Sequence, residues 1–432
     1  MSSPGSRWRS TGALGRCLAV GGLGLVTALV VGRPVLVVLV APLLVIGALG
    51  ILHRPERDPR VLNRLAHRSL HEGQGTRTWL DITDGDEVEV VTRVVAQAPY
   101  LALSPAEGAI AFPLGAPHEV QISPRRWGRR TLAAEKVGLT SPWAGFRWGP
   151  VMIPGRQMLI LPTLEHVRSV GEAPQPIGLI GSHRSRRDGN GTEFSSIRAF
   201  HSGDRLRRIN WRVSMRTGTL HVESTRAEED TAVLLIVDAL ADYGISEGLD
   251  GTESSLDVTV RAAAAIAEQY LGGGDRVAVR VLSPGGEFAP YRTGTAHLRR
   301  ILSLLATVRP GMPRNVEIDQ IDFRATAGTV VVVLSPMLSE QVANATVRLV
   351  RRGLPVMVVD PLPADATPLV WPDVDQQISS LAWRMRLLDR THLLESLSGS
   401  GCPVVPWSGP RTLEEVVRRL ARRAQLPRVG GA

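Results

Sequence analysis

Two long, uncharged apolar runs stand near the start of the chain. They cover residues 17–32 and 35–52, and only Arg33 and Pro34 separate them. Each run is about as long as a helix must be to cross a hydrocarbon core of roughly 30 Å. A two-residue connection is too short to hold a domain. The pattern therefore predicts a transmembrane hairpin within residues 1–53.

Arginines flank this hairpin on one side. The turn between the two runs holds Arg33 alone. The other arginines precede the first run or follow the second: Arg7, Arg9, Arg16, Arg54, Arg57, Arg60, Arg64 and Arg68. The positive-inside rule places such arginine-rich flanks in the cytoplasm. We therefore expect a multi-pass protein of the cell membrane with both termini and the soluble body cytoplasmic. The alternative is a cleaved signal peptide that uses the first three arginines, but it leaves the second apolar run unexplained.

Residues 54–75 form a basic juxtamembrane segment. Val61, Leu62, Leu65 and Leu70 stand among its basic residues. This mixture is typical of a helix lying on an anionic lipid surface, and it equally fits an ordinary linker helix.

Residues 76–170 predict a β-rich domain. Residues 87–96 and 157–161 alternate or run apolar at strand length, and Pro and Gly clusters separate such segments. Short strands between turns indicate a small β-sandwich. Within it, residues 125–130 (RRWGRR) resemble a patch for single-stranded nucleic acid, or else a hairpin tip with solvated arginines and one packed tryptophan. The aromatic residues Trp143, Phe146 and Trp148 are expected to pack in the core.

Residues 231–425 alternate between strand and helix patterns. The expected strands are 233–238, 276–282, 329–334, 355–359 and 404–405, and the expected helices are 256–271, 297–308 and the basic segment 413–424. Such alternation predicts a doubly wound, mainly parallel sheet. The fold class is thus α/β and β, in several domains.

Composition narrows the picture only a little. The 432 residues are 44% hydrophobic, which excludes a wholly disordered chain, and the formal net charge is +9. Lys136 is the only lysine. Two cysteines, Cys17 and Cys402, cannot form a disulfide framework or a zinc site between them. Nucleic acid is not expected as a partner.

Residues 171–230 contain a dense motif, GTEFSSIRAFHSGDRLRRINWRVSMRTGTLHVE at 191–223. Its spacing closely resembles the signature of the bacterial domain-of-unknown-function 58 family, although Phe200 stands where that family usually has tyrosine. The matching positions are Gly191, Glu193, Phe194, Arg198, Gly203, Asp204, Arg207 or Arg208, Ile209, Trp211, Ser214, Arg216, Leu220 and Val222.

The chemistry of this signature segment has two interpretations. Arg198, Arg207 and Arg216 can hold Glu193 and Asp204 in forked contacts and staple the segment in place. Otherwise the arginine face meets a partner or a phosphate. Gly203-Asp204 is expected to form a turn, and Ile209 and Trp211 to pack inward together. The mixture of His201, His221, Ser202, Ser214 and Asp204 does not resemble a nucleophile elbow, so no catalytic residue is predicted.

The resemblance implies that the last domain is similar to a von Willebrand A-type domain, which often holds Mg²⁺ in an Asp-x-Ser-x-Ser loop. Here Leu240 and Asp242 replace the two serines after Asp238, and Ser335-Pro336 replaces the usual Ser-Asp. Mg²⁺ demands a near-octahedral set of oxygen ligands. We therefore expect a degenerate site around Asp238, Asp242 and Ser335, with no tightly bound metal and no cofactor.

The resemblance also implies a partner, because proteins of this family are commonly associated with MoxR-type AAA+ ATPases. The chain has no Gly-x-x-x-x-Gly-Lys-Ser/Thr loop of its own. The leading hypothesis is a membrane-anchored, non-enzymatic adaptor that acts with such an ATPase on a protein client. The alternatives are a cell-envelope enzyme and a membrane-surface nucleic-acid binder.

Overall fold

The computed structural model describes residues 7–85, 87–116, 119–163, 184–201, 206–228, 232–311, 318, 321–326, 328–368, 375–409 and 412, with the backbone alone at 184–195, 207 and 224–228. The chain divides into two compact units. The first comprises Met1–Pro162 and Glu247–Gly251, and the second comprises Thr163–Ser246 and Thr252–Ala432.

Two antiparallel helices, α1 (Gly12–Val31) and α2 (Val35–Leu52), confirm the helical hairpin. Both are long and apolar enough to cross a membrane. Glycines let the helices approach closely, because a Cβ atom on Gly47 would lie 2.8 Å from Cδ2 of Leu18. α1 ends at Gly32, whose φ of 68° is a left-handed conformation that suits glycine.

The rest of the first unit is built mainly of strands, as predicted for residues 76–170. They are β1 (Arg9–Ser10), β2 (Arg60–Leu65), β3 (Ser69–His71), β4 (Thr76–Thr83), β5 (Val90–Val95), β6 (Leu101–Ser104), β7 (Ala109–Pro113), β8 (Val120–Pro124), β9 (Gly128–Thr131), β10 (Glu135–Thr140), β11 (Phe146–Ile153) and β12 (Gln157–Leu161). The sheets have the orders β1-β11-β10-β5-β7, β2-β4-β8-β6 and β3-β12-β9. Apart from the parallel pair β3–β12, the paired strands are antiparallel.

Residues 54–75 do not form the predicted helix. β2 pairs with β4, and β3 pairs with β12. In β2 the exposure of neighbouring residues alternates, with Asn63 buried and Leu62 50% exposed, as expected of a strand with one face toward the core. The prediction was wrong because Asn63 has a partner in the core, where its amide donates to Oε1 of Glu135.

The core of this unit contains a completely buried ion pair. Nε of Arg93 donates to Oε2 of Glu135 at 3.0 Å, and Nη2 donates to Oε1 at 2.9 Å. The remaining guanidinium nitrogen, Nη1, donates to the carbonyl of Thr78 at 2.9 Å. Such forked, charge-assisted contacts satisfy both charged groups away from water. Because β5 and β10 carry the ion pair while β4 carries Thr78, the network joins two sheets.

The helical hairpin is attached to these sheets through backbone contacts. The amide of Thr11 donates to the carbonyl of Gly145 at 3.0 Å. A Cβ atom on Gly145 would lie 2.6 Å from the carbonyl oxygen of Gly50 in α2, so only glycine allows this approach. Nearby, Trp148 is buried as predicted, but Trp143 is 50% exposed and does not pack in the core as expected.

The second unit begins with a two-stranded antiparallel sheet of β13 (Arg184–Ala199) and β14 (His221–Glu228), with the short helix α3 (Trp211–Thr217) between them. Its main sheet has the order β17-β16-β15-β18-β19-β20. The strands are β15 (Ala232–Asp238), β16 (Arg276–Leu282), β17 (Phe288–Arg292), β18 (Val330–Leu334), β19 (Val356–Asp360) and β20 (Val404–Pro406), and the helices are α4 (Ser255–Gly272), α5 (Thr295–Leu305), α6 (Glu340–Arg351) and α7 (Gln376–Gly399).

The predicted α/β alternation is confirmed. Within the main sheet only β17 is antiparallel to its neighbour. β18 is buried along its whole length, as expected for a parallel strand covered on both faces. Residues of α6 and α7 pack with those of one sheet face in a single hydrophobic core, and α4 lies against β15, β16 and β18. The sequence patterns missed α6, α7 and β17, and the predicted basic helix 413–424 lies outside the described residues.

Candidate functional site

The main sheet changes its direction of winding between β15 and β18. From β15 the chain crosses to β16 on one side, and it later returns to place β18 on the other. The crevice at the carboxyl ends of two such strands is the usual ligand site of an open α/β sheet. Asp238 ends β15 and Ser335 directly follows β18, so both lie at this switch point.

Asp238 is bound by the protein itself. Its Oδ2 accepts a hydrogen bond from the Ser335 hydroxyl at 2.6 Å, and its Oδ1 accepts one from the amide of Leu240 at 3.1 Å. Asp238 is buried, and burial raises the pKa of its carboxyl above the ordinary value, although both hydrogen bonds oppose the shift. The structure thus brings together two of the three residues of the predicted degenerate site.

The third residue, Asp242, serves the start of α4. Its Oδ1 accepts from the amide of Leu256 at 3.0 Å and from the hydroxyl of Ser255 at 3.4 Å. A carboxylate is stabilised there by the exposed amides and by the helix dipole. This environment keeps Asp242 occupied in holding the loop to the helix.

Helix α7 brings positive charge to the same edge of the sheet. Nε of Arg390 donates to the carbonyl of Pro336 at 2.6 Å, and Nη2 donates to Oδ2 of Asp360 at the end of β19. Nη2 of Arg386 donates to the carbonyl of Leu338 at 3.0 Å. A guanidinium therefore binds the loop that follows β18, one residue from Ser335.

An aromatic contact completes this edge. The rings of Tyr243 and Trp383 stack with centroids 5.5 Å apart. Burial raises the pKa of the Tyr243 phenol; Arg386 opposes this shift and Asp238 adds to it. These influences place Tyr243 in the same electrostatic environment as the switch-point residues.

The donor set at the switch point does not fit Mg²⁺. The carboxylates of Asp238 and Asp242 already accept protein hydrogen bonds, and the Arg390 cation lies against the adjoining loop. Across the described ranges no group of three or more His, Cys, Asp and Glu side chains is placed to hold a metal ion. The expectation that this site binds no Mg²⁺ tightly stays a prediction.

The signature segment forms a second candidate place, around α3. Asn210 caps this helix, because its Oδ1 accepts from the amide of Val213 at 3.1 Å. Ser214 is buried, donates to the carbonyl of Asn210 at 2.8 Å and accepts from the amide of His221 at 2.9 Å. Its hydroxyl thus fastens α3 to β14 through backbone groups rather than through an imidazole.

The predicted inward packing holds for Ile209 and is wrong for Trp211. Ile209 is 9% exposed and bridges to Val222, whereas Trp211 is 62% exposed. The prediction assumed a strand or turn in which positions two apart share a face. Instead Asn210 caps a helix that begins at Trp211, so Ile209 lies in the extended segment before the helix and the two residues do not share a face.

The exposed side of α3 is apolar and basic. Trp211 and Met215, one helical turn apart, are 62% and 81% exposed, and Leu206 beside the helix is 69% exposed. Arg212 and Arg216 are exposed on the same short helix. We call Leu206, Trp211, Arg212, Met215 and Arg216 the α3 surface.

Residues 196–368 match the protein family described as "Protein of unknown function DUF58". This stretch of the chain is similar to DUF58. Uncharacterized proteins of Mycobacterium tuberculosis and Mycobacterium bovis are each 34% identical to this chain over 145 residues, which is 33% of this chain and 44% of the relative. The chain thus spans less than half the length of the curated relatives it matches.

The residues matched to DUF58 include α3 and the switch point at Asp238 and Ser335, but they end before α7. Of the predicted signature residues, Arg198 lies on β13, where its Nη1 donates to the carbonyl of Ala199 at 3.1 Å. Gly203 and Asp204 lie outside the described residues, and so do the side chains of Glu193, Phe194 and Arg207. The predicted staple between these arginines and acids stays a prediction.

Sequence reasoning missed the residues that α7 contributes at the switch point: Trp383, Arg386 and Arg390. A signal was present, because Trp383, Leu387, Leu394 and Leu397 recur at spacings of three, four and seven. Arginines between them obscured the apolar stripe. Tyr243 and Asp360 were also missed, since each acquires its role only when α7 packs beside it.

The basic segment at residues 125–130 packs on itself. Trp127 is 4% exposed, which confirms the packed tryptophan. The guanidinium of Arg130 lies 4.6 Å from the ring centroid of Tyr100, and that of Arg126 lies 5.2 Å from it. The aromatic residue of the segment, Trp127, is therefore buried, and the Arg126 guanidinium lies 5.7 Å from the centroid of its ring.

Proposed function

We propose that this DUF58-containing protein is a membrane-anchored, non-enzymatic adaptor that docks a MoxR-type AAA+ ATPase and couples it to a protein client. The α3 surface is the observation that carries the proposal. Large apolar side chains with arginines beside them are what a protein-binding surface presents, and tryptophan, methionine and arginine are enriched in interfaces. Asn210 caps the helix, and the Ser214 hydroxyl connects it to β14.

The membrane anchor of the proposal is the α1–α2 hairpin. Arginines stand before α1 and after α2, and Arg33 alone lies in the turn. This charge bias supports a cell-membrane protein with both termini and the soluble body in the cytoplasm, where ATP is present.

Cysteine labelling in cells tests this orientation. In a Cys17→Ala background, Arg33→Cys should react with a membrane-impermeant maleimide in intact cells. Asp58→Cys should react only after permeabilisation. Labelling of Asp58→Cys in intact cells would reject the orientation and with it the cytoplasmic partner.

The sheet supports a further element of the proposal, a von Willebrand A-like domain with a degenerate metal site. Asp238 ends β15 and Ser335 follows β18 at the switch point, and Arg390 lies against the adjoining loop. We propose that this edge is held by internal hydrogen bonds and charge instead of Mg²⁺. No cofactor is part of the proposal.

The ATPase partner would supply the energy that this chain lacks means to capture. The sequence has no phosphate-binding Gly-rich loop with lysine, and Lys136 lies within strand β10. An ATPase docked on the α3 surface would bring an acidic and apolar patch opposite Arg212, Arg216 and Trp211. Charge complementarity of this kind gives specificity and speeds association.

A binding measurement tests the proposal. The full chain in nanodiscs is immobilised, and the MoxR-type ATPase of the same genome is added with and without ATP. Binding should be seen in at least one nucleotide state, and the double variant Trp211→Ala/Met215→Ala should weaken it by about 30-fold, the effect of a hot spot worth about 2 kcal/mol.

Ile245→Ala is the matched control, because Ile245 is 70% exposed and lies off the α3 surface. It should leave the affinity unchanged. If the correctly folded wild-type chain does not associate with the ATPase in either nucleotide state, the adaptor proposal is rejected. Equal effects of both variants would reject the α3 surface as the docking site.

A further inference from the structure

Helix α7 is apolar on two opposite faces. One face packs toward the sheet through partly or fully buried residues: Trp383, Leu387, Leu394 and Leu397. The other face is exposed. Its members are Ile378 at 64%, Leu381 at 59%, Met385 at 60% and Leu388 at 64% exposure. We call these four residues the α7 seam.

The spacing of the α7 seam is that of a coiled coil. The intervals along the chain are three, four and three residues, which assigns Ile378 and Met385 to heptad position a, and Leu381 and Leu388 to position d. An ordinary surface helix has no need for a second apolar stripe opposite the one that it buries.

Charges beside the seam indicate its partner. In this heptad Arg384 occupies position g and Asp389 occupies position e. In a parallel pair of helices, each g residue faces the e residue five positions later on the other helix. Arg384 of one copy would thus face Asp389 of a second copy, and the symmetric pair repeats the contact. An antiparallel pair that matches the same apolar residues would instead bring the two Arg384 side chains together.

We propose that the α7 seam pairs with the α7 seam of a second copy of this chain, as a short parallel coiled coil. The association goes beyond the adaptor role and does not depend on an ATPase. Four side chains per copy form an interface smaller than the about 800 Å² per partner of a standard complex, so the dimer should be weak in dilute solution. Confinement of copies in one membrane would raise their effective concentration.

Cysteine cross-linking tests the pairing in the full chain. Leu381→Cys is made in a Cys17→Ala background; Cys402 stays, because it is fully buried. Copper-phenanthroline oxidation in native membranes should give a disulfide-linked dimer. The control is Ser380→Cys, which is also exposed but points away from the seam, and its cross-linked fraction should be lower by about tenfold, since d positions face each other in a parallel coiled coil.

Charge reversal tests the parallel orientation. Arg384→Glu and Asp389→Arg should each reduce cross-linking through Leu381→Cys, because each sets like charges opposite. The double reversal should restore it. Failure of the double variant to recover, or equal cross-linking of Ser380→Cys, would overturn the proposal.

Two other occupants of the seam would also overturn it. Quenching of a fluorophore at Leu381→Cys by a bilayer-embedded quencher, without dimer formation, would assign the seam to lipid. Dimer formation that appears only after removal of residues 413–432 would show that the chain's own C-terminal segment covers it.

Discussion

The hydroxyl of Ser335 donates a hydrogen bond to Oδ2 of Asp238 at 2.6 Å, although the two residues are 97 positions apart. They meet because β15 and β18 are parallel neighbours whose carboxyl ends lie at one edge of the sheet. Both residues are buried. An ionisable carboxyl at the switch point is therefore held by protein donors in a place without ready access to water.

Stability should depend on the ionisation of Asp238. Burial raises the pKa of its carboxyl in the folded state. The unfolded carboxyl then ionises at lower pH than the folded one, so this group's contribution to stability is greatest below the unfolded pKa and is lost as pH rises through the folded pKa. Asp238→Asn cannot ionise. Relative to wild type, its free energy of unfolding should rise as pH increases from about 4.

Urea denaturation across a pH series measures this difference. Asp365→Asn, at an exposed aspartate, is the control and should show little change with pH. If the free energy of unfolding of Asp238→Asn, relative to that of the wild type, fell as pH increases, the folded protein would favour the ionised carboxylate.

Arg390→Met should destabilise the second unit. Arg390 is 12% exposed and pairs with Asp360, which is 14% exposed, and it also binds the Pro336 carbonyl. Removing one partner of a nearly buried ion pair leaves the other charge uncompensated, at a cost of about 3 kcal/mol. The double variant Arg390→Met/Asp360→Asn should recover part of this loss.

Thermal denaturation in detergent of the wild type, Arg390→Met, Asp360→Asn and the double variant checks the coupling. Arg300→Met, at an exposed arginine of α5, should change stability by no more than about 0.5 kcal/mol. If the double variant lost as much as the sum of its two single changes, the ion pair would contribute no coupling energy.

Sequence patterns identified the elements whose burial is periodic and missed those fixed by tertiary contacts. The valine run of β18 and the alanine-rich α4 are apolar on their own, so their patterns identify them. Residues 60–65 read as a basic helix because the sequence does not show that Asn63 has Glu135 as a partner. At the site, Asp238 and Ser335 were predicted through the family resemblance, but Arg390 could not be, since its role depends on where α7 packs.

Arg93→Met should be among the most destabilising substitutions in the first unit. Arg93 and Glu135 are completely buried, so loss of the guanidinium leaves a carboxylate without its countercharge, at about 3–5 kcal/mol. Replacing both residues, as Arg93→Met/Glu135→Leu, should cost less than the single change, because no buried charge remains. Chemical denaturation compares the two variants.

The exposed pair Arg77–Glu119 provides the control. Its side chains are 60% and 44% exposed, and Arg77→Met should cost no more than about 1 kcal/mol. Equal costs at both sites would mean that the buried pair is solvated in the folded protein.

Gly145→Ala should release the helical hairpin from the sheets of the first unit. The new Cβ atom would lie 2.6 Å from the carbonyl oxygen of Gly50, and backbone at that distance has no flexible side chain to move aside. The backbone bond from Thr11 to Gly145 should then open more often. Hydrogen exchange at the Thr11 amide should accelerate by about tenfold or more, as expected when a local contact is lost while the rest of the fold persists.

Gly22→Ala in α1 is the control, since a Cβ atom there meets nothing within 4 Å. Unchanged exchange in Gly145→Ala would show that the hairpin is held by its side-chain contacts, such as that of the Arg54 guanidinium with the Phe146 ring at 5.9 Å, and not by the close approach of the two glycines.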